Sequence, residues 1–113
     1  MQITNERTGR SLGDKVAHAN TFWRRLRGLL GRRSLEPGEG LLLEPCQAVH
    51  GLGMAFTCDV VYLDADGCVV YHGQLRRNGR GPFRRDARRV LEVPEGTASE
   101  AGVQTGDRLK IKQ

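Results

Sequence analysis

The sequence predicts an α+β fold: a single small β-rich domain over residues 1–113, with short, mostly antiparallel strands in a barrel-like sheet and one main helix packed on it. Three observations carry this expectation. Met54, Phe56, Cys58, Val60 and Tyr62 alternate with Ala55, Thr57, Asp59, Val61 and Leu63, and a period of two over that length is a strand signal. Phe22, Leu26, Leu29 and Leu30 recur at helical spacing and make one apolar stripe. The 15 glycines are scattered at turn positions along 113 residues, which suits many short elements joined tightly.

The elements follow in order. Gln2–Asn5 and Ser11–His18 read as two short strands separated by Thr8-Gly9-Arg10. A helix is predicted over Thr21–Leu30, with Asn20 or Thr21 accepting an orphan backbone N–H at its start. Gly31 supplies a left-handed stop at its end. A helix of this length is marginal alone, so the stripe is expected to be buried, with Trp23 packing at the core edge. Pro37-Gly38-Glu39-Gly40 is a turn into the strand Leu41–Leu43, which Pro45 ends. Met54–Leu63 and Cys68–Leu75 form a hairpin through Asp64-Ala65-Asp66-Gly67, with glycine where positive φ is wanted. Residues 76–87 read as an arginine- and glycine-rich loop. Arg88–Val93 is a strand stopped by Pro94, Glu95–Ala101 a short helix closed by Gly102, and Arg108–Lys112 a last strand. Strands this short tend to wrap into a small barrel or a strongly bent sheet.

Composition narrows the class. Hydrophobic residues make up 38% and charged residues 27%, an ordinary balance for a folded domain. No run approaches the ~18 consecutive apolar residues of a membrane span, and no membrane partner is expected. The first residues carry no apolar stretch of the kind a secretory signal needs, so the expected location is the cytoplasm. Three cysteines, Cys46, Cys58 and Cys68, have no framework spacing, which agrees with a reducing compartment. The net charge is +5 and only Lys15, Lys110 and Lys112 are lysines, so arginine carries nearly all the positive charge. Such a surface attracts acidic partners, phosphorylated ligands or nucleic acid.

Several segments, taken in order, resemble the domain of unknown function 192 family. They are Arg24-Arg25-Leu26-Arg27-Gly28-Leu29-Leu30-Gly31, Gly40-Leu41-Leu42, Val49-His50 with Gly53-Met54, Cys58-Asp59-Val60-Val61-Tyr62-Leu63-Asp64 with Gly67, Arg88-Arg89-Val90-Leu91-Glu92-Val93-Pro94 with Gly96, and Gly106-Asp107. The likeness covers residues 20–112 and implies a compact β-rich α+β fold of bacterial origin with no established activity. Many relatives are exported behind a signal segment, and this chain departs from them there. It departs again at Cys58, where an aliphatic residue is usual, and at Arg80-Gly81-Pro82-Phe83, which stands where the family has an aromatic-proline loop.

Four constellations bear on function. His50, Met54, Asp59 and Arg88 are the expected ligand-binding residues of a shallow pocket. Gly51 and Gly53 let a ligand approach the backbone, and a buried Asp59 needs a partner such as His50 or Arg88. Two arginine clusters, Arg24, Arg25 and Arg27 with Arg76, Arg77, Arg84 and Arg85, are the candidates for nucleic-acid binding. Cys46 and His50, with Cys58, Asp59 and His72, are the residues a metal would use, but closely paired zinc ligands are lacking, and no metal or cofactor is expected. Cys46 and His50 also suggest a thiolate pair, without the flanking pattern of a cysteine nucleophile, so no catalytic residue is assigned. The expected function is a non-catalytic accessory domain binding a small ligand or peptide. Nucleic-acid binding is the alternative, and a metal-dependent or hydrolytic enzyme comes third.

Overall fold

In the computed structural model, which describes residues 1–113, the strands divide between two sheets. The elements run β1 (Gln2–Asn5), β2 (Ser11–Gly13), β3 (Lys15–Ala19), α1 (Phe22–Arg27), β4 (Glu39–Leu43), β5 (Cys58–Leu63), β6 (Val69–Leu75), β7 (Arg89–Pro94), α2 (Thr97–Glu100) and β8 (Leu109–Lys112). The larger sheet has the order β3-β4-β7-β5-β6 and the smaller one β2-β1-β8. Only β3 and β4 run parallel; every other pair is antiparallel. The strands form two open sheets where the sequence suggests a barrel-like one. No helix is long and apolar enough to cross a membrane.

The five-stranded sheet is covered on both faces, and the period of two in its strands decides which residue goes where. Val61 and Leu63 of β5, with Leu91 and Val93 of β7, join a core shared with Ile3, Leu12, Leu109 and Ala98, under the small sheet and α2. Their neighbours Cys58, Val60, Tyr62 and Val90 point the other way, into a second core with Leu29, Val49, Met54 and Leu75. That second face is roofed by loops. Every residue of β5 is therefore buried, as are the four central residues of β7.

Turn chemistry follows the sequence. Asp64 Oδ1 accepts from the backbone N–H groups of Asp66 and Cys68, both at 2.9 Å, and Gly67 takes φ 85°. The predicted strand Ser11–His18 breaks at Gly13-Asp14, sending β2 to the small sheet and β3 to the large one. The predicted strand from Met54 begins only at Cys58, although Met54 is buried.

The main correction concerns the helix. It is six residues long, capped by Thr21 Oγ1, which accepts from the Arg24 N–H at 3.2 Å. Gly28, at φ 50°, ends it three positions before Gly31. That early stop turns Leu29 inward and leaves the rest of the stripe outside: no residue of α1 is buried, and Phe22, Trp23, Leu26 and Leu30 are exposed. Trp23 packs against Phe22 edge-on, with centroids 5.2 Å apart, and not against the core.

Asp59 explains how α2, only four residues long, holds its place. Its Oδ2 accepts from the N–H groups of Gly96 and Ala98, each at 3.0 Å, so a β5 carboxylate caps a helix that has no side-chain cap of its own. Bonds from N–H groups to a charged acceptor are the stronger kind. Asp59→Ala should therefore lower stability by about 2 kcal/mol, a Tm loss of roughly 10 °C for a domain this size. A thermal melt unchanged from wild type would mean that α2 docks without the cap.

Candidate functional site

The opposite face of the same sheet holds a carboxyl with no such arrangement. Glu92 lies at the middle of the central strand β7, opposite Leu41 on β4 and Val60 on β5. Alternation along β7 puts Leu91 and Val93 in the first core and turns Glu92 to the loop-covered side. It is 3% exposed, and its Oε1 is sealed without any hydrogen-bond partner. It is the only buried side-chain polar atom of the protein in that condition.

Two donors on that side are engaged elsewhere. The Tyr62 hydroxyl donates to the Pro82 carbonyl at 2.9 Å, and the Cys46 thiol donates to the Ala48 carbonyl at 3.1 Å. Burial pushes both groups, and the Cys58 thiol, above their ordinary ranges, and the nearby Glu92 charge pushes them the same way. Burial also raises Glu92 itself, from an ordinary 4.5 to about 7. A carboxylate without a partner in an apolar setting relieves its desolvation by taking up a proton.

Above Glu92 is a cavity of about 40 Å³. Leu29, Leu43, Val49 and Met54 contribute apolar walls, and Arg25, Arg27 and His50 line it from α1 and the loop 49–54. Leu26, Leu30 and Leu52 also line it and are themselves exposed. A wider groove of about 480 Å³ adjoins it, sharing Val49, His50 and Leu52 and reaching Asn78–Gly81. The two loops meet through the Gly51 N–H, which donates to the Gly79 carbonyl at 2.8 Å, and the Asn78 N–H, which donates to the Gly51 carbonyl at 2.8 Å. A Cβ at Gly51 would strike the Arg76 carbonyl, so this position admits only glycine without a shift of the loop.

Of the residues expected in one pocket, the structure brings together His50 and Met54 and separates the other two. Asp59 is on the α2 face of β5, because it shares the odd-numbered side with Val61 and Leu63, and its carboxylate caps α2. Arg88 is exposed beside Pro45–Gln47 and donates to the carbonyls of Arg85 and Ala87 at 3.1 and 3.2 Å. No group of three or more His, Cys, Asp or Glu side chains stands close enough to hold a metal ion. His72 lies with Asp59 in a groove on the other face, away from Cys46 and His50. Among the arginines, Arg25 and Arg27 line the Glu92 cavity, and the 76–79 turn that carries Arg76 and Arg77 backs onto Gly51. Arg84 is paired with Asp86 through two bonds of 3.0 and 2.8 Å, and Arg85 lends its carbonyl to Gln47.

Glu92 is the residue that sequence reasoning misses. The available signal is a lone acid inside the apolar run Val90–Val93. A direct consequence concerns pH. Between 4.5 and about 7 the folded protein keeps a proton that the unfolded chain has released. The stability contributed by neutral Glu92 is thus complete below pH 4.5 and lost as pH rises through about 7. Glu92→Gln keeps the shape without the charge, so its stability relative to wild type should rise by about 3 kcal/mol between acid and mildly alkaline solution. Denaturant melts of both proteins across that range measure it; a constant difference would mean that Glu92 titrates in the folded protein as it does in the unfolded chain.

Two solved structures share this architecture. One, a protein of unknown function from Novosphingobium aromaticivorans, superimposes with a TM-score of 0.82 at 20% identity, covering 97% of this chain and 82% of that one. The other, described as a "putative transcription regulator" from Sinorhizobium meliloti, gives a TM-score of 0.78 at 24% identity, covering 96% and 89%. At these identities the likeness shows the fold. No curated protein matches the chain. The model of the DUF192 family, described as an uncharacterised ACR, matches residues 3–111 and so takes in β1 and β2 as well as the segments that resemble it in sequence. The chain belongs to the DUF192 family.

Proposed function

We propose that this chain is a non-catalytic bacterial accessory domain that binds a small ligand, or the tip of a peptide side chain, in the cavity over Glu92. The observation that carries this reading is the buried Glu92 carboxyl with an unpartnered Oε1. A buried polar group without a partner costs free energy that a fold does not retain idly. A ligand group that donates a hydrogen bond removes the cost.

Size and lining define the ligand further. A water molecule needs ~10–15 Å³ of such space, so a 40 Å³ cavity seats a head of a few heavy atoms and not a whole drug-sized molecule. The apolar walls suit a hydrocarbon stem, and the adjoining groove has room for the remainder. An ammonium or amide on an apolar stem has this chemistry. Arg25 and Arg27 along the lining favour a ligand that is acidic beyond its donor head. The cavity lining includes no serine, threonine, cysteine, lysine or tyrosine, and no hydrogen bond activates its Glu92 as a nucleophile, which supports binding over nucleophilic catalysis. Three free cysteines suit the reducing cytoplasm as the place where it acts.

Titration with n-butylammonium, followed by amide chemical shifts, tests this directly. Shifts should centre on Leu29, Leu30, Val49–Met54 and Glu92. An ammonium pairs with the ionised carboxylate, so affinity should fall about tenfold per pH unit below about 7. Glu92→Gln should weaken binding at least tenfold. An acidic peptide with one central lysine distinguishes the two sources of the head group: tighter binding than n-butylammonium points to a peptide, and equal or weaker binding to a small molecule. Shifts elsewhere, or equal binding by Glu92→Gln, contradict the reading.

A further inference from the structure

The sequence places the apolar stripe of α1 inside the protein, and the structure leaves it outside. Phe22 is 61% exposed, Trp23 73%, Leu26 55% and Leu30 49%, and Leu52 of the facing loop is 70% exposed. Five of the six exposed large hydrophobic residues of the protein belong to this one region. They form a continuous surface: Phe22 and Trp23 touch, Phe22 and Leu26 are one helical turn apart, and Leu26, Leu30 and Leu52 line the same cavity. Apolar residues gathered this way mark a surface that meets something.

The charges around them say what. No acidic residue occurs between Asn20 and Leu35, while Arg24, Arg25, Arg27, Arg32 and Arg33 do. Of these only Arg32 is neutralised, by Glu39 at 2.9 Å. Arg76, Arg77 and Arg80 follow on the neighbouring turn, also without salt-bridge partners among the six in the protein. A second copy of the chain would set these arginines against their own equivalents. A nucleic-acid backbone would take the arginines but give Leu26, Leu30 and Leu52 nothing apolar to bury against. An anionic lipid surface supplies both, phosphate for the guanidinium groups and the acyl boundary for leucine and phenylalanine, with tryptophan at the headgroup level.

We propose that α1 and Leu52 form a docking surface for an anionic bilayer, which the protein meets peripherally through arginine and the exposed stripe. This does not depend on what fills the cavity over Glu92. The surface is small, so docking is weak and salt-sensitive, with each arginine worth about fivefold in partitioning.

Trp23 is the only tryptophan and lies in the surface, so its emission reports docking without a label. With vesicles of phosphatidylcholine mixed with phosphatidylglycerol, the emission should shift to the blue and the protein should sediment with the lipid. Added salt should reverse both. The double variants Leu26→Asn/Leu30→Asn and Arg24→Gln/Arg33→Gln, all at exposed positions, should each reduce sedimentation by about tenfold or more, with circular dichroism unchanged. No shift on these vesicles at low salt overturns the proposal. So does equal partitioning onto pure phosphatidylcholine, a shift produced by protein concentration alone, or a shift produced by an oligonucleotide and not by vesicles.

Discussion

Burial of β7 on both faces is the constraint on which the rest of the structure depends. The strand pairs with β4 on one side and β5 on the other, so its hydrogen-bonding groups are satisfied laterally. Its side chains must then be accommodated in two separate cores. One core is closed by secondary structure, the small sheet and α2. The other is closed by loops, held through close backbone approaches such as that of Gly51 to the 76–79 turn. Placing a glutamate at the centre of such a strand forces a carboxyl into one core or the other, and the register that seats Leu91 and Val93 under the small sheet and α2 puts it in the loop-covered one.

Three buried acids show how differently one fold treats the same chemical group. Asp59 receives two backbone N–H groups and in return fixes α2. Asp107 receives Arg7, the Gln104 N–H and Asn5, which tie the N-terminal segment to the 101–107 loop. The Arg7 hydrogen bonds, aided by Gln104 and Asn5, hold its carboxyl down at about 2. Glu92 receives nothing and is pushed the opposite way. Two of the three are spent on architecture. The third is left without a partner, and it lies beside a cavity with apolar walls and an arginine-bearing rim.

The β elements are legible in the sequence because their signals are local. Alternation from Cys58 to Leu63 sets both the strand and its two faces, and Asp64–Gly67 sets the turn. The helix is legible only in its start. Its end depends on Gly28, whose freedom at positive φ competes with two further apolar residues of the stripe, Leu29 and Leu30, and the backbone follows the glycine. The site is half legible: His50 and Met54 meet, while Asp59 goes to α2, and alternation alone already puts it on the far face from Met54. Glu92 cannot be singled out without knowing that β7 is the central strand. An acid in an edge strand would have been solvated.

Exposure of the α1 stripe and isolation of Glu92 have a common origin. Had the helix run on to Leu30 and packed down, its stripe would have covered the second face and filled the space over the carboxyl. Because it stops at Gly28, only Leu29 enters the core, and a cavity rimmed by Leu26, Leu30 and Leu52 stays open above Glu92. The state of that one carboxyl therefore decides whether the cavity is a binding site. Carbon-13 NMR of the Glu92 side-chain carboxyl across a pH titration reads it directly. The structure predicts a midpoint near 7. A midpoint at or below the ordinary 4.5 would show a solvated or paired carboxylate and would contradict the site.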